Sequence, residues 1–173
     1  MSGNTIPELS GEKRGAGETV AAYEPKRHQE ACFSGKTPVM TPQGIREIQF
    51  LREGDYVYTF DLKTRDITET RVEHLDVHLG EFEIREVRLS DHDTILATSN
   101  HKFYNGRCWV ECREMSEIFT VSGDTLGVAV SEVFRKTNIV YNLRTAAGTY
   151  LVGHVAALVS GGTVLDLVTR KAA

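Results

Sequence analysis

The stretch CFSGKTPVMTPQGIREIQFLREGDYVYTF, residues 32–60, decides the fold class. Short runs of Val, Ile, Thr, Tyr and Phe are broken by turn residues every ten or so positions, which is the texture of strands. Thr37-Pro38-Val39-Met40 followed by Thr41-Pro42-Gln43-Gly44-Ile45-Arg46 reads as a hairpin with a Pro-x-Gly turn. Leu51-Arg52-Glu53-Gly54-Asp55 is a turn that feeds the strand Tyr56-Val57-Tyr58-Thr59-Phe60.

The same texture continues downstream. Lys63-Thr64-Arg65-Asp66 closes a second hairpin, and Val72 to Leu79 and Phe82 to Leu89 alternate in polarity. Ser90-Asp91-His92-Asp93 turns into the strand Thr94-Ile95-Leu96-Ala97-Thr98, and Asn105-Gly106 is a strong hairpin signal. Further strands are expected over Leu126 to Phe134, Ile139 to Arg144 and Thr149 to Val159, with Ala147-Gly148 as a turn. One short helical turn is expected over Cys112 to Phe119. Many short strands with regular turns predict an all-β domain, sandwich or barrel-like.

Upstream of Cys32 the texture differs. Residues 1–31 mix Gly, Glu, Lys, Arg and Pro with scattered Ile6, Leu9, Val20 and Tyr23, and no period emerges. This reads as a flexible N-terminal arm.

The bulk numbers narrow the classes. A chain of 173 residues is by default one domain with a sizeable core. A hydrophobic content of 40%, a charged content of 25% and a formal charge of -4 argue against a nucleic-acid partner, which needs a basic face. No run approaches a membrane span. The first residues lack the apolar core of a secretory signal, so a cytoplasmic location is expected. Three cysteines, Cys32, Cys108 and Cys112, make a poor disulfide framework and leave room for one working thiol.

Cys32 stands where the arm meets the β region. Its Sγ can reach the carbonyl carbon of Ala31 through a five-membered ring, giving an N-to-S acyl shift. Intramolecular attack of this kind reaches effective molarities of roughly 10⁵–10⁸ M. The departing nitrogen needs a proton, and the peptide must be polarised or twisted. Thr98 and His101, in Thr98-Ser99-Asn100-His101 at a strand end, put a hydroxyl and an imidazole into one turn. A carboxylate at Asp76 could deprotonate the thiol or activate an incoming nucleophile. The bland readings are an inert buried cysteine, a solvated strand-end histidine and a surface aspartate.

His74 and His78, with Cys108 and Cys112, offer a rival zinc reading. On strands, however, residues four apart sit about 13 Å from each other, too far to share an ion. No cofactor is expected.

Taken together the pieces resemble one family. Cys32-Phe33-Ser34-Gly35-Lys36-Thr37-Pro38-Val39 resembles the opening block of Hint domains, the module of inteins and hedgehog C-terminal regions. Gly44-Ile45-Arg46-Glu47-Ile48 with Leu51 to Val57 resembles the next block. Leu96-Ala97-Thr98-Ser99-Asn100-His101-Lys102-Phe103, followed by Trp109, resembles the Thr-x-x-His block. Gly123-Asp124-Thr125-Leu126, and Val140-Tyr141-Asn142-Leu143 with Gly148-Thr149-Tyr150-Leu151-Val152, resemble the last two. The resemblance spans residues 32–160 and leaves 161–173 as a C-terminal tail.

The resemblance implies a horseshoe-shaped, pseudo-twofold β-fold. It implies that Cys32 forms a thioester with Ala31, that His101 protonates the amide nitrogen and that Thr98 strains the peptide. By spacing, Asp76 matches the aspartate of the hedgehog branch that assists the second nucleophile. The substrate would be the chain's own N-terminal segment, and water, a thiol or an amine the acceptor. A splicing intein ends in His-Asn; here Leu158 and Val159 stand at the equivalent positions, and Gly148 replaces the usual histidine of the last block. Cleavage without splicing is therefore expected, and the short tail makes sterol transfer unexpected. A degenerate, non-catalytic interaction module is the alternative. The mechanism demands a ring over the scissile nitrogen; a thiol enclosed in an apolar interior would point to an inert scaffold.

Overall fold

A computed structural model describes residues 31–90 and 93–162. They form strands, turns and two single-turn 3-10 helices, with no α-helix. The all-β expectation is what the chain adopts. Strands β1 (Pro38–Thr41) and β2 (Gly44–Glu47) form the first hairpin, closed by a two-residue turn at Pro42 and Gln43. Gly44 takes a φ of 103°, which its lack of a Cβ permits. The 3-10 turn Ile48–Phe50 leads to β3 (Tyr56–Asp61), which pairs with the start of β4 (Asp66–Ser90).

β4 is one strand of 25 residues, where the alternation predicts two separate segments. The break expected at Gly80 and Glu81 is absorbed as a bulge. Leu79 and Phe82 face Ile139 and Thr137, so two residues of β4 stand against Asn138 alone. A bulge bends a strand without ending it. β10 (Ala129–Thr145) runs antiparallel to β4 almost throughout and carries three more register shifts. It likewise joins two strands read as separate.

β5 (Asp93–Thr98) pairs with the far end of β4. After it come β6 (Lys102–Tyr104) and β7 (Trp109–Glu111), joined by the Asn105-Gly106 turn. Asn105 Oδ1 accepts from the amides of Arg107 and Cys108 at 2.8 and 2.9 Å and holds that turn. The expected helical turn at Cys112 is a 3-10 turn, Cys112–Glu114; it stops early, and β8 (Glu117–Phe119) begins a hairpin with β9 (Thr125–Gly127).

The last expected strand is two, β11 (Thr149–Val152) and β12 (Ala157–Ser160). The turn between them needs left-handed backbone at Gly153 and Ala156. The buried carboxylate of Asp93 ties it down, accepting from Val155 N at 2.9 Å and meeting His154 Nδ1 at 3.2 Å. β11 and β12 lie inside a six-stranded sheet ordered β2-β1-β11-β12-β6-β7, while β10, β4 and β3 form a second sheet with β5 on the other edge of β4.

The main core gathers side chains from nearly every element, among them Val39, Ile48, Val57, Val72, Ile95, Phe103, Leu143 and Tyr150. Phe33 lies at its centre, edge-on to Phe103 and Tyr150 at ring distances of 6.1 and 6.3 Å. Among the described residues no helix is long and apolar enough to cross a membrane. The expected N-terminal arm, apart from Ala31, and residues 163–173 of the expected tail lie outside the described residues.

Candidate active site

Cys32, Phe33 and Ser34 are threaded between two strands. Phe33 exchanges both backbone hydrogen bonds with Tyr141 of β10, at 2.7 and 2.8 Å. On the opposite edge the amide of Ser34 donates to Leu96 O of β5 at 2.9 Å, and the amide of Thr98 donates to Cys32 O at 2.9 Å. The peptide on the N-terminal side of Cys32 is therefore fixed at one end by a two-sided ladder. Burial of the Phe33 side chain anchors the same three residues.

The amide nitrogen of Cys32, the leaving atom of the expected reaction, donates to Thr98 Oγ1 at 3.0 Å. The Thr98 hydroxyl in turn donates to Asn100 Oδ1 at 2.9 Å. The turn from Thr98 to His101 is closed by the amide of His101 donating to Thr98 O at 3.1 Å. It returns the imidazole to the same peptide. The ring lies 4.0 Å from the Phe33 ring, tilted by 33°. Its Nε2 bonds Ser160 O at 2.9 Å. The backbone carbonyls of Cys32 and Ala31 lie near enough to favour a positive ring. Burial outweighs all three carbonyls and lowers the pKa to about 4, so the ring is neutral at pH 7.

Cys32 itself is buried, 1% exposed. One wall of its surroundings is apolar: Phe82, Ile84 and Val140, with Leu96 beside them. This is the burial that the sequence argument set against catalysis. The surroundings are not apolar throughout, however. Tyr150, also fully buried, is raised well above the usual phenol range chiefly by desolvation, with smaller contributions from nearby charge on Cys32 and Asp76. The sulfur thus sits against a hydrocarbon wall, with the buried Tyr150 close enough to respond to its charge state.

Asp76 on β4 lies opposite Asn142 on β10 and is buried. Its carboxylate is gripped by Arg144, whose Nε reaches Oδ2 at 3.0 Å and Oδ1 at 3.2 Å, and His74 Nε2 stands 3.4 Å away. It is a paired carboxylate, not the isolated surface aspartate of the bland reading. The rival zinc quartet is not assembled. His74 and His78 lie on an extended strand, Cys108 is exposed, and burial pushes the Cys112 thiol up to about 12. Among the described residues no group of three or more His, Cys, Asp or Glu could hold a metal ion.

The downstream end of the site needs a correction. Leu158 and Val159 are buried in β12, paired with Leu151 and Tyr150. The residues that meet the site are Ser160, through its carbonyl on His101, and Gly161, whose carbonyl accepts from Asn142 Nδ2 at 3.1 Å. Neither residue carries a carboxamide. Sequence reasoning gave no role to Asn100, Asn142, Arg144 or Tyr150. Asn142 and Tyr150 lie inside a block singled out above, but their polarity is useful only once β10 and β11 bring them together.

A long bent β4–β10 pair, with a cysteine segment clamped between β5 and β10 over a histidine turn, defines the class: this is the horseshoe-shaped, pseudo-twofold Hint fold of inteins. Solved structures agree. The chain is similar to a bacterial intein-like domain from Clostridium thermocellum, with a TM-score of 0.66 and 23% identity over 77% of this chain and 99% of that one. It is similar to a DnaB intein from Synechocystis sp. PCC 6803, with a TM-score of 0.61 and 16% identity over 77% and 99% of the two chains. The gp41-1 intein gives a TM-score of 0.62 and 16% identity over 77% and 100%. No family model matches the sequence, and no curated protein matches it.

Proposed function

We propose that the domain processes itself at the Ala31–Cys32 bond by an N-to-S acyl shift and is then cleaved there, without splicing. The observation that carries this reading is the bond from Cys32 N to Thr98 Oγ1, with the His101 ring beside the same peptide. An acid for the nitrogen and a hydroxyl that fixes the amide are the two groups such a step needs.

The proton must come from within. A ring held at about 4 carries no spare proton at pH 7. His101 therefore takes the proton of the Cys32 thiol and delivers it to the amide nitrogen. The S–C bond to Ala31 forms as the C–N bond breaks, leaving a thioester and a free amine. Burial of the sulfur does not block this step, because its electrophile is the adjoining carbonyl. It does exclude acceptors, so resolution by water, a thiol or an amine is slow. Asp76 enters only then, as a base for the acceptor, held in place by Arg144. Splicing is left out because Ser160 and Gly161 offer no side chain that could cyclise.

A second reading has observations of its own. The apolar wall at Cys32 and the Asp76–Arg144 pair suit a non-catalytic module. Mass spectrometry of the purified full chain, with and without dithiothreitol or hydroxylamine, decides. A fragment ending at Ala31 that increases with added nucleophile supports cleavage. An intact mass after long incubation with both reagents supports the inert module.

A further inference from the structure

The strip from the last residue of β12 through Gly162 is held more tightly than a tail requires. Ser160 O is bonded to His101 Nε2, and Gly161 O accepts from Asn142 Nδ2. The amides of Gly161 and Gly162 both donate to Gly148 O, at 2.8 and 3.2 Å, and Gly162 O accepts from Thr145 N at 3.0 Å. Asn142 is itself oriented. The Tyr150 hydroxyl donates to Asn142 Oδ1, which leaves the amide's NH₂ to face Gly161. There is no room for a side chain at position 161. A Cβ there would run into the Leu143 carbonyl oxygen and stand 3.0 Å from the Tyr150 ring.

We infer that the Ser160–Gly162 strip is a tautomer clamp for His101. A carbonyl only accepts, so Ser160 O keeps the ring's single proton on Nε2. The lone pair is then on Nδ1, which makes no well-formed hydrogen bond among the described residues although the carbonyls of Ala31 and Cys32 stand nearby. Nδ1 is left as the nitrogen for the Ala31–Cys32 peptide and for the thiol proton. Asn142, Tyr150 and Gly161 are positioning residues that act through Ser160. This rests on the proposed proton path but stands apart from whether the bond is cut. The ring could be clamped in a domain that never cleaves.

The test uses the full chain carrying Cys32→Ala, with its histidines labelled by ¹⁵N. Long-range ¹H–¹⁵N correlation spectra at pH 7 report which nitrogen of His101 holds the proton. The expected result is the Nε2–H form, giving way to a mixture in Asn142→Ala and in Gly161→Ala. Tyr150→Phe should show a smaller change in the same direction. In the Cys32 chain the same variants should slow release of the fragment ending at Ala31 by roughly 10- to 10²-fold, the effect of misplacing a reacting group by about an ångström. An Nδ1–H form in the parent, or an unchanged Nε2–H form in a folded Asn142→Ala, overturns the clamp. If Gly161→Ala does not fold, Asn142→Ala and Tyr150→Phe decide. A parent that never cleaves but shows the Nε2–H form, lost in Asn142→Ala, sinks the proposed function and leaves the clamp standing.

Discussion

At the scale of single residues, the site is a set of buried polar groups, and burial keeps the His101 ring neutral at pH 7. Cys32→Ala removes the nucleophile, and no fragment ending at Ala31 should appear by mass spectrometry. His101→Ala should slow its release by roughly 10²–10⁴, the usual worth of a general acid or base; unchanged release removes His101 from the path. The ring also makes stability depend on pH. It binds its proton at about 4 in the fold and near 6.5 in the unfolded chain. Between those values the unfolded chain binds more protons, so stability rises with pH across the window and is lost as pH falls from 6.5 toward 4. The loss is on the order of 3 kcal/mol. Urea unfolding at pH 7, 6, 5 and 4 should show it, and His101→Gln should flatten that slope. At Arg144 the logic is charge pairing. Arg144→Ala strands a buried carboxylate and should destabilise the domain by about 3–5 kcal/mol in the same assay.

The elements show what sequence reasoning could and could not see. The β1–β2 and β6–β7 hairpins were legible because their turns are local, with Gly44 and Asn105-Gly106 fixing the geometry within a few residues. Cys32, Thr98 and His101 were legible as a cluster only through the resemblance, since 66 residues separate the amide of Cys32 from the hydroxyl it meets. Long strands were misread as broken ones. Gly80 looks like a turn on paper, but pairing with β10 carries β4 straight through it as a bulge. The turn at Gly153 was missed for the converse reason: the group that stabilises it, the Asp93 carboxylate, arrives from β5. The element that matters most is the shortest, the Cys32–Ser34 strip. Phe33→Ala leaves a cavity at its anchor and should cost about 3–5 kcal/mol by urea unfolding. Any cleavage should slow as well, because the strip holds the peptide in place.

For the molecule as a whole, the surroundings of the Ala31–Cys32 peptide are assembled from distant parts. Phe33 bridges to Ala97 and to Tyr141 at once, and His101 reaches Ser160. Because Cys32 is enclosed, an external thiol must wait for a local opening of this assembly. The rate of fragment release should therefore level off as dithiothreitol is raised. A rate that keeps climbing in proportion would show a sulfur open to solvent.

The double bridge at Phe33 also sets a clock. On a growing chain, residue 33 emerges more than a hundred positions before Tyr141, so its second edge stays empty until that stretch is made. Pairings this remote close late, after the entropy of the intervening loop has been overcome. Until then the strip that holds the Ala31–Cys32 peptide can pair on one edge only. Under the proposed function, scission of a half-made polypeptide is then held back by topology.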